Sequence, residues 1–444
     1  MALGLVGFGP AASTVIAATP QAPATAVGAS PDFDGDGLPD IVYAINGEIV
    51  EGAVRIVYGT GREQEVQRVL GDGVSTAFGH AILARDLNGD GLCDLVATDS
   101  WKPGVLILIF GSAAGLEQRA ERTFAAPAGA SAFGSSLALL TAPAPLLVVG
   151  AEQSNVPGGS FAAYPLGSDG LPSGAPFWIN QSSRGVPGSA EAGDRFGSAM
   201  AAAGSTLLVG IDGEDTGKVK NAGNVVVLTY AGGQRFTGTG FGQNSARVAD
   251  KAETGDRFGA SVAIGRGLVA VGVPGEQKQG GLVQLFSVSG SKVKPLTAID
   301  QNSSGVPGAG ERYNRFGEEV AIAAVCTGTV GIVVGGPDET FLTGEDGAAW
   351  LIPVKRSTAC PARLLAEDGA LGGKLVEDGG HLGTVVSVQS RVGSAADTVL
   401  VGGSGAESVG PGRLYVVAPP YTAGHVVWKA TDLDNQFGFA LSPS

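Results

Sequence analysis

A Phe-Gly dipeptide recurs along the chain and restricts its fold more than any other feature. Each copy leads a short apolar segment and then two runs of β-branched and apolar residues separated by glycine, such as Val269–Gly272 and Gly281–Phe286. Runs of this kind between turn residues predict short strands. Neighbouring copies lie 55 to 66 residues apart, so each repeat holds about four strands, the content of one propeller blade. The copies begin at Phe78, Phe133, Phe196, Phe258, Phe316, Leu382, where leucine replaces the aromatic residue, and Phe437.

The two residues of the repeat suit contacts between blades. We expect the aromatic ring to fill the space between neighbouring blades and the glycine to let two backbones approach closely. Glycine accounts for 73 of the 444 residues, without a collagen-like period, which favours tight turns over long helices.

The chain ends suggest how the ring closes. Only six residues follow Phe437-Gly438, whereas the segment from Pro31 begins in the middle of a repeat. Six whole repeats and one shared between the termini predict an all-β fold, a seven-bladed β-propeller over residues 31–444. Pairing of the N- and C-terminal strands is expected to close it and to remove the open sheet edges.

Residues 1–30 differ from the rest, because they contain no charged side chain and become rich in Ala, Thr and Pro. We interpret them as a secretory leader followed by a spacer, with Leu3–Phe8 as the apolar stretch, although no basic residue precedes it. The alternative is a disordered apolar tail. No later stretch is apolar enough to predict a transmembrane helix. The net charge of −14 disfavours nucleic acid and anionic membranes as partners.

Two acidic loops share the pattern D-x-[DN]-G-D-G-L-x-D and predict two calcium sites. Ca²⁺ takes six to eight oxygen ligands, which alternate positions of a glycine-containing loop can supply. An EF-hand is excluded because loop position 12 is Tyr43 or Ala97 instead of Glu. The competing interpretation is a pair of solvated turns. The predicted ligands are Asp32, Asp34, Asp36, the carbonyl of Leu38 and Asp40 for one ion, and Asp86, Asn88, Asp90, the carbonyl of Leu92 and Asp94 for the other.

These features resemble FG-GAP repeats, the modules of the integrin α-chain N-terminal propeller. Besides Phe-Gly and the acidic loops, the chain has turns similar to Gly-Ala-Pro, such as Val271–Pro274. The segments that precede Phe-Gly, such as Glu191–Gly197, resemble those of secreted actinobacterial members of this family. The resemblance implies a seven-bladed propeller, calcium in the loops, and extracellular ligand or cell-surface binding. Five repeats lack the calcium loop, and no integrin leg or cytoplasmic tail is recognised.

Residues suited to catalysis are few. His80 and His381 adjoin Phe-Gly positions and are expected to pack between blades. Cys326 and Cys360 lie in one repeat and could pair, whereas Cys93 is expected to stay free. The repeated Asp-Arg pairs Asp194-Arg195 and Asp256-Arg257 predict salt bridges between blades, with a ligand-binding rim as the alternative.

The sequence therefore predicts a secreted, monomeric, calcium-binding propeller. Its expected partner is an extracellular protein or glycan, and we expect no enzymatic activity. The alternative is a hydrolase, or a protein accessory to one, built on the same fold.

Overall fold

The structure is a computed structural model of the 444-residue chain. The leader and spacer predicted for residues 1–30 lie outside the described residues, as does Phe437. The structure describes residues 31–47, 50–67, 69–70, 73–74, 77–100, 104–118, 121–130, 132–154, 157–290, 292–341, 344–345, 347–366, 381–390, 394–403, 413–421, 425–429 and 438–441.

The described residues form seven four-stranded sheets, which we number as blades 1 to 7 in chain order. Blade 1 contains β1 (Ile41–Gly47), β2 (Val50–Val57) and β3 (Glu63–Gln67), and the hairpin of β4 (Val69–Leu70) and β5 (Gly73–Val74) follows it. Blade 2 consists of β6 (Phe78–Arg85), β7 (Asp94–Asp99), β8 (Val105–Ile109) and β9 (Arg122–Ala125). Blade 3 consists of β10 (Phe133–Leu140), β11 (Leu146–Ala151), β12 (Ser160–Pro165) and β13 (Phe177–Ile179). Blade 4 consists of β14 (Met200–Ala203), β15 (Thr206–Ile211), β16 (Asn224–Tyr230) and β17 (Phe236–Phe241).

Blades 5 to 7 repeat this order, with a short helical turn α1 (Glu276–Gln279) inside blade 5 and a hairpin of β24 (Thr340–Phe341) and β25 (Gly344–Glu345) inside blade 6. The strands of blade 5 are β18 (Val262–Gly265), β19 (Leu268–Val273), β20 (Leu282–Ser289) and β21 (Lys292–Ile299). Those of blade 6 are β22 (Glu319–Cys326), β23 (Thr329–Gly336), β26 (Ala348–Pro353) and β27 (Arg363–Leu365). Those of blade 7 are β28 (Leu382–Gln389), β29 (Thr398–Gly403), β30 (Arg413–Val417) and β31 (His425–Lys429).

The blades form a ring around a central channel. The innermost strands β6, β10, β14, β18, β22 and β28 contact one another in this order, and β32 (Gly438–Leu441) lies between β28 and β6. All strand pairs within the blades are antiparallel, as in β18 and β19, where Val262 pairs with Val271. The predicted all-β, seven-bladed β-propeller is confirmed.

The C-terminal strand lies in the blade formed by the N-terminal strands. β32 is antiparallel to β1, with Tyr43 opposite Leu441 and Asn46 opposite Gly438. Closure of the ring by this pairing stays a prediction.

The Phe-Gly residues join neighbouring blades, as predicted. Phe258 is fully buried, and its ring meets Phe241 of the preceding blade edge-on at 6.0 Å between centroids. Its N–H donates to the carbonyl of Ala222, also in the preceding blade, at 3.0 Å. Gly259 has a φ of 93°, a conformation that a residue with a Cβ adopts at a cost.

The apolar core lies between adjacent blades rather than within one sheet. The second strand of most blades is buried along its whole length, as in β15 and β19, because neighbouring blades cover both faces. Within the described residues, no helix is long and apolar enough to cross a membrane.

Candidate metal loops and central channel

The two acidic loops occupy equivalent positions in neighbouring blades. Loop A (residues 32–40) precedes β1, and loop B (residues 86–94) joins β6 to β7. Both lie at the end of the propeller where inner strands finish, which we call the loop face; the opposite Phe-Gly face is where inner strands begin. The loops also touch, because Cys93 N–H donates to the carbonyl of Asp32 at 2.8 Å.

The first aspartate organises each loop through backbone hydrogen bonds. The Asp32 carboxylate accepts N–H groups from Gly35 at 2.7 Å and Gly37 at 3.1 Å. In loop B, Asp86 accepts the corresponding N–H groups of Gly89 and Gly91 at 2.6 and 3.0 Å. All four glycines have positive φ, which explains why the pattern requires glycine at these turns.

The third predicted ligand of each loop also holds the turn. Asp36 accepts the N–H of Leu38 at 2.7 Å, and Asp90 accepts that of Leu92 at 2.8 Å. These bonds hold the backbone at Leu38 and Leu92, whose carbonyl groups are the predicted backbone ligands.

The last aspartate of each loop is fully buried. Asp40 accepts N–H groups from Phe33 at 2.7 Å and Gly59 at 2.9 Å, which ties the loop to the end of β2. Asp94 does the same with Leu87 at 2.8 Å and Gly111 at 3.0 Å. Burial raises the pKa of each of these two carboxyl groups to about 6, although the backbone donors oppose the shift.

Loop A meets the geometric requirement for a hard cation. Carboxylate oxygens of Asp32, Asp34 and Asp40 lie within 4.8 Å of one another. Asp34 Oδ1 is buried without a hydrogen-bond partner, and Asp34 Oδ2 pairs with the guanidinium of Arg62 at 3.2 Å. An oxygen in this position suits a cation, because a buried carboxylate oxygen without a partner is costly. The guanidinium of Arg62 also lies 3.7 Å from the centroid of the Tyr58 ring. The loop pattern in the sequence did not indicate that Arg62 would pair with Asp34.

Loop B brings its polar side chains together in a similar way. Asn88 Nδ2 donates to Asp90 Oδ2 at 2.9 Å, and Asn88 Oδ1 accepts the N–H of Asp90. Rotating the amide would present its oxygen beside Asp90, so the donor set fits an oxygen-ligated cation. Of the predicted carboxylate ligands, only Asp32, Asp34 and Asp40 lie within 4.8 Å of one another in the described residues, and both ligand sets stay predictions.

The central channel contains a cavity of about 300 Å³ lined by the inner strands. Most lining residues are small or apolar, but His80, Glu319, Arg85 and Arg266 also reach it. Burial lowers the pKa of His80 and raises that of Glu319 to about 8. Arg266 pairs with Asp397 at 2.9 Å. His80 therefore lines the channel, whereas the sequence predicted that it packs between blades.

A chain of ion pairs crosses four blade boundaries on the Phe-Gly face. Its charged residues come from repeats distant in sequence, and the shared acids link successive arginines. The pairs are Glu152 with Arg195 at 3.0 Å, Arg195 with Asp212 at 3.2 Å, Asp212 with Arg257 at 3.1 Å, Arg257 with Glu318 at 3.4 Å, Glu318 with Arg315 at 3.6 Å, Arg315 with Asp338, and Asp338 with His381 at 3.0 Å.

The predicted salt bridges between blades are confirmed for Arg195 and Arg257. The prediction was wrong for their neighbours Asp194 and Asp256, which turn inward and accept the N–H groups of Glu191 and Glu253. The acids that do pair with the arginines come from other strands and loops, so the Asp-Arg dipeptide gave the wrong partner.

The cysteines occupy two different environments. Cys326 and Cys360 form a disulfide within blade 6. Cys93 is free, as expected, and burial raises the pKa of its thiol to about 11.

Comparison with known families agrees with the loops and the repeats. Residues 32–131, which include both acidic loops, match the model of the FG-GAP-like repeat family. This part of the chain is similar to FG-GAP-like repeats. No curated protein matches the chain.

Solved structures share the propeller fold with this chain. A provisional 6-phosphogluconolactonase from Bacteroides uniformis is 10% identical with a TM-score of 0.53, and the match covers 90% of this chain and 98% of the other. A protein from Lactobacillus plantarum is 9% identical with a TM-score of 0.51 and the same coverage. Likeness at this identity establishes the fold alone.

Proposed function

We propose that this protein is a secreted, calcium-binding FG-GAP propeller that binds an extracellular protein or glycan and catalyses no reaction of its own. Loop A supports a calcium site, because the carboxylate oxygens of Asp32, Asp34 and Asp40 lie close together. Loop B supports a second one, because Asp86 organises the same glycine turn there as Asp32 does in loop A. The disulfide between Cys326 and Cys360 supports an oxidising, extracellular compartment. The bound ions would fix the two loops and offset their charge.

Tyr313 is the observation that carries the binding function. It lies on the Phe-Gly face just before Phe316, and 57% of its surface is exposed. Its φ is 75°, a conformation that costs free energy for a residue with a bulky side chain. An exposed aromatic ring held in this way offers a flat apolar surface to a sugar ring or a peptide side chain. Arg312 beside it is also exposed and adds a cationic donor.

The test is binding of the full chain, in calcium buffer, to arrays of immobilised glycans and extracellular matrix proteins. We expect Tyr313→Ala to weaken the strongest interaction at least tenfold. Leu296→Ala is the matched control, because Leu296 is 50% exposed on the outer strand β21. Equal binding by native protein and Tyr313→Ala, or equal losses in both variants, would contradict a ligand site at Tyr313.

A second candidate function is hydrolysis of a small substrate in the channel. It is favoured by one observation, namely that His80 and Glu319, an imidazole and a carboxyl group, line the same cavity. Assays with lactone and phosphoester substrates test it. Turnover that His80→Ala and Glu319→Gln both abolish would replace the binding proposal, and absence of turnover would count against the hydrolase.

A further inference from the structure

Three successive blade junctions on the Phe-Gly face contain a buried polar cluster that the metal loops do not explain. In each cluster a glutamine 15 residues before the Phe-Gly phenylalanine donates to a glutamate in the loop after the second strand. The pairs are Gln181 with Glu214 at 2.7 Å, Gln243 with Glu276, and Gln301 with Glu339 at 2.5 Å.

The middle cluster concentrates negative charge. Asp256 and Glu276 are each 2% exposed, and their carboxylate oxygens and one from Glu253 all lie within 4.8 Å of one another. Burial raises the pKa of Asp256 to about 6 and that of Glu276 to about 7. The nearby Arg257 points away from the cluster, towards Asp212 and Glu318. Acids this close and this buried require a compensating positive charge.

The glutamine of this cluster supplies an independent sign of a ligand. Gln243 is 3% exposed, and its Oε1 is buried without a hydrogen-bond partner among the described residues. Its Nε2 donates to Glu276, so the amide group is directed into the acidic cluster. Rotation of the amide by half a turn about its Cγ–Cδ bond places Oε1 beside the carboxylates when a cation replaces this hydrogen bond. An amide oxygen beside carboxylates is a common ligand for a hard cation.

The third cluster shows what happens when one acid is replaced. Asn314 stands where the middle cluster has Asp256, and its Nδ2 donates to Gln301 Oε1 at 3.0 Å and to Glu339 Oε2 at 2.6 Å. The glutamine oxygen therefore gains a partner, and the unpartnered oxygen is that of Asn314 itself. In the middle cluster a carboxylate takes the place of these amide hydrogens, so the positive charge has to come from elsewhere.

We propose that Glu253, Asp256, Glu276 and Gln243 Oε1 bind a divalent cation of the calcium class at the junction of blades 4 and 5. Ligands on opposite sides of Ca²⁺ are about 5 Å apart when each bond is about 2.4 Å, and the carboxylate oxygens of this cluster are all close enough together to bind one ion. The site lies on the face opposite loops A and B and in a blade without an acidic loop. It ties the segment before Phe258 to the turn that begins at Glu276.

Counting bound calcium tests the site. The full chain is stripped with EDTA, dialysed, and titrated with CaCl₂ by isothermal titration calorimetry, with bound calcium checked by mass spectrometry. Asp256→Asn copies the residue that the third cluster already uses, so it should fold, and circular dichroism verifies this. We expect it to bind one calcium fewer than the native protein.

Two further variants make the result decisive. Asn314→Asp recreates the acidic set in the third cluster and should bind one calcium more, a gain that misfolding cannot imitate. Asp34→Asn reports on loop A alone, so failure there leaves the junction site unaffected. An unchanged count in Asp256→Asn, or in Asn314→Asp, would overturn the proposal and favour a proton shared between Asp256 and Glu276.

Discussion

Gly272 offers the sharpest test of how the blades are joined. It lies in β19, and a Cβ added to it would be 2.0 Å from the carbonyl oxygen of Gly317 in the next blade and 2.2 Å from Ser261 Oγ. Side-chain carbons do not approach other atoms closer than 3.0 Å, so Gly272→Ala has to move the two blades apart by about 1 Å. The obstructing oxygen belongs to the backbone and cannot rotate away.

The expected cost is at the upper end of the range for overpacking, about 3 kcal/mol. Unfolding entropy of about 2.1 cal/mol/K per residue gives roughly 0.9 kcal/mol/K for about 400 residues, so Tm should fall by about 3 °C. Differential scanning calorimetry of native and variant protein under one set of conditions measures this.

Gly265→Ala is the matched control in the same blade. A Cβ at Gly265 would meet no atom within 4 Å, so we expect a change in Tm below about 1 °C. An unchanged Tm in Gly272→Ala, or equal changes in both variants, would refute the close approach of blades 5 and 6 at this glycine.

Three other perturbations address the loops, the channel and the closure of the ring. Chelation should lower Tm by about 3 °C for each ion lost, because calcium at 100 times its Kd contributes about 2.7 kcal/mol. Asp34→Asn should reduce this drop in Tm. Equal drops in native and variant protein would contradict a site in loop A. Glu319 has a pKa raised to about 8 by burial, so its contribution is retained below about pH 4.5 and lost as pH rises towards 8. Glu319→Gln should therefore raise Tm relative to native protein at pH 8.5 but not at pH 4.5, and a difference independent of pH would argue against the shift. Removal of residues 438–444 takes away β32 and exposes the edge of β1, so gel filtration should show self-association and calorimetry a lower Tm; a monomer of native Tm would show that this pairing does not close the ring.

The fold could be predicted from the sequence because each blade is specified locally. The Phe-Gly positions and the glycine-separated apolar runs recur at a nearly constant distance, and in the structure they mark the beginning of inner strands and the buried second strands. The acidic loops were equally visible, since Asp32 and Asp86 bond to glycines only three and five residues away.

Contacts between repeats could not be predicted in the same way. Arg195 pairs with Glu152, and Arg257 with Glu318, across 43 and 61 residues, and no local pattern distinguishes these acids from Asp194 and Asp256. The channel residues His80 and Glu319 come from opposite sides of the ring. The glutamines 15 residues before three of the Phe-Gly phenylalanines were the one available signal for the buried clusters, but their glutamate partners lie 33 to 38 residues further along.

At three successive blade junctions, a hydrogen bond from the Phe-Gly start to the preceding blade runs in the same direction around the ring. Phe196, Phe258 and Phe316 donate, and carbonyls at Gly158, Ala222 and Gly280 accept. Blades 4 and 5 therefore each have a donor side and an acceptor side that differ. A fragment of several consecutive blades would expose one side of each kind, so identical fragments are complementary end to end. We expect such fragments to assemble head to tail, into rings or open chains according to the number of blades they contain.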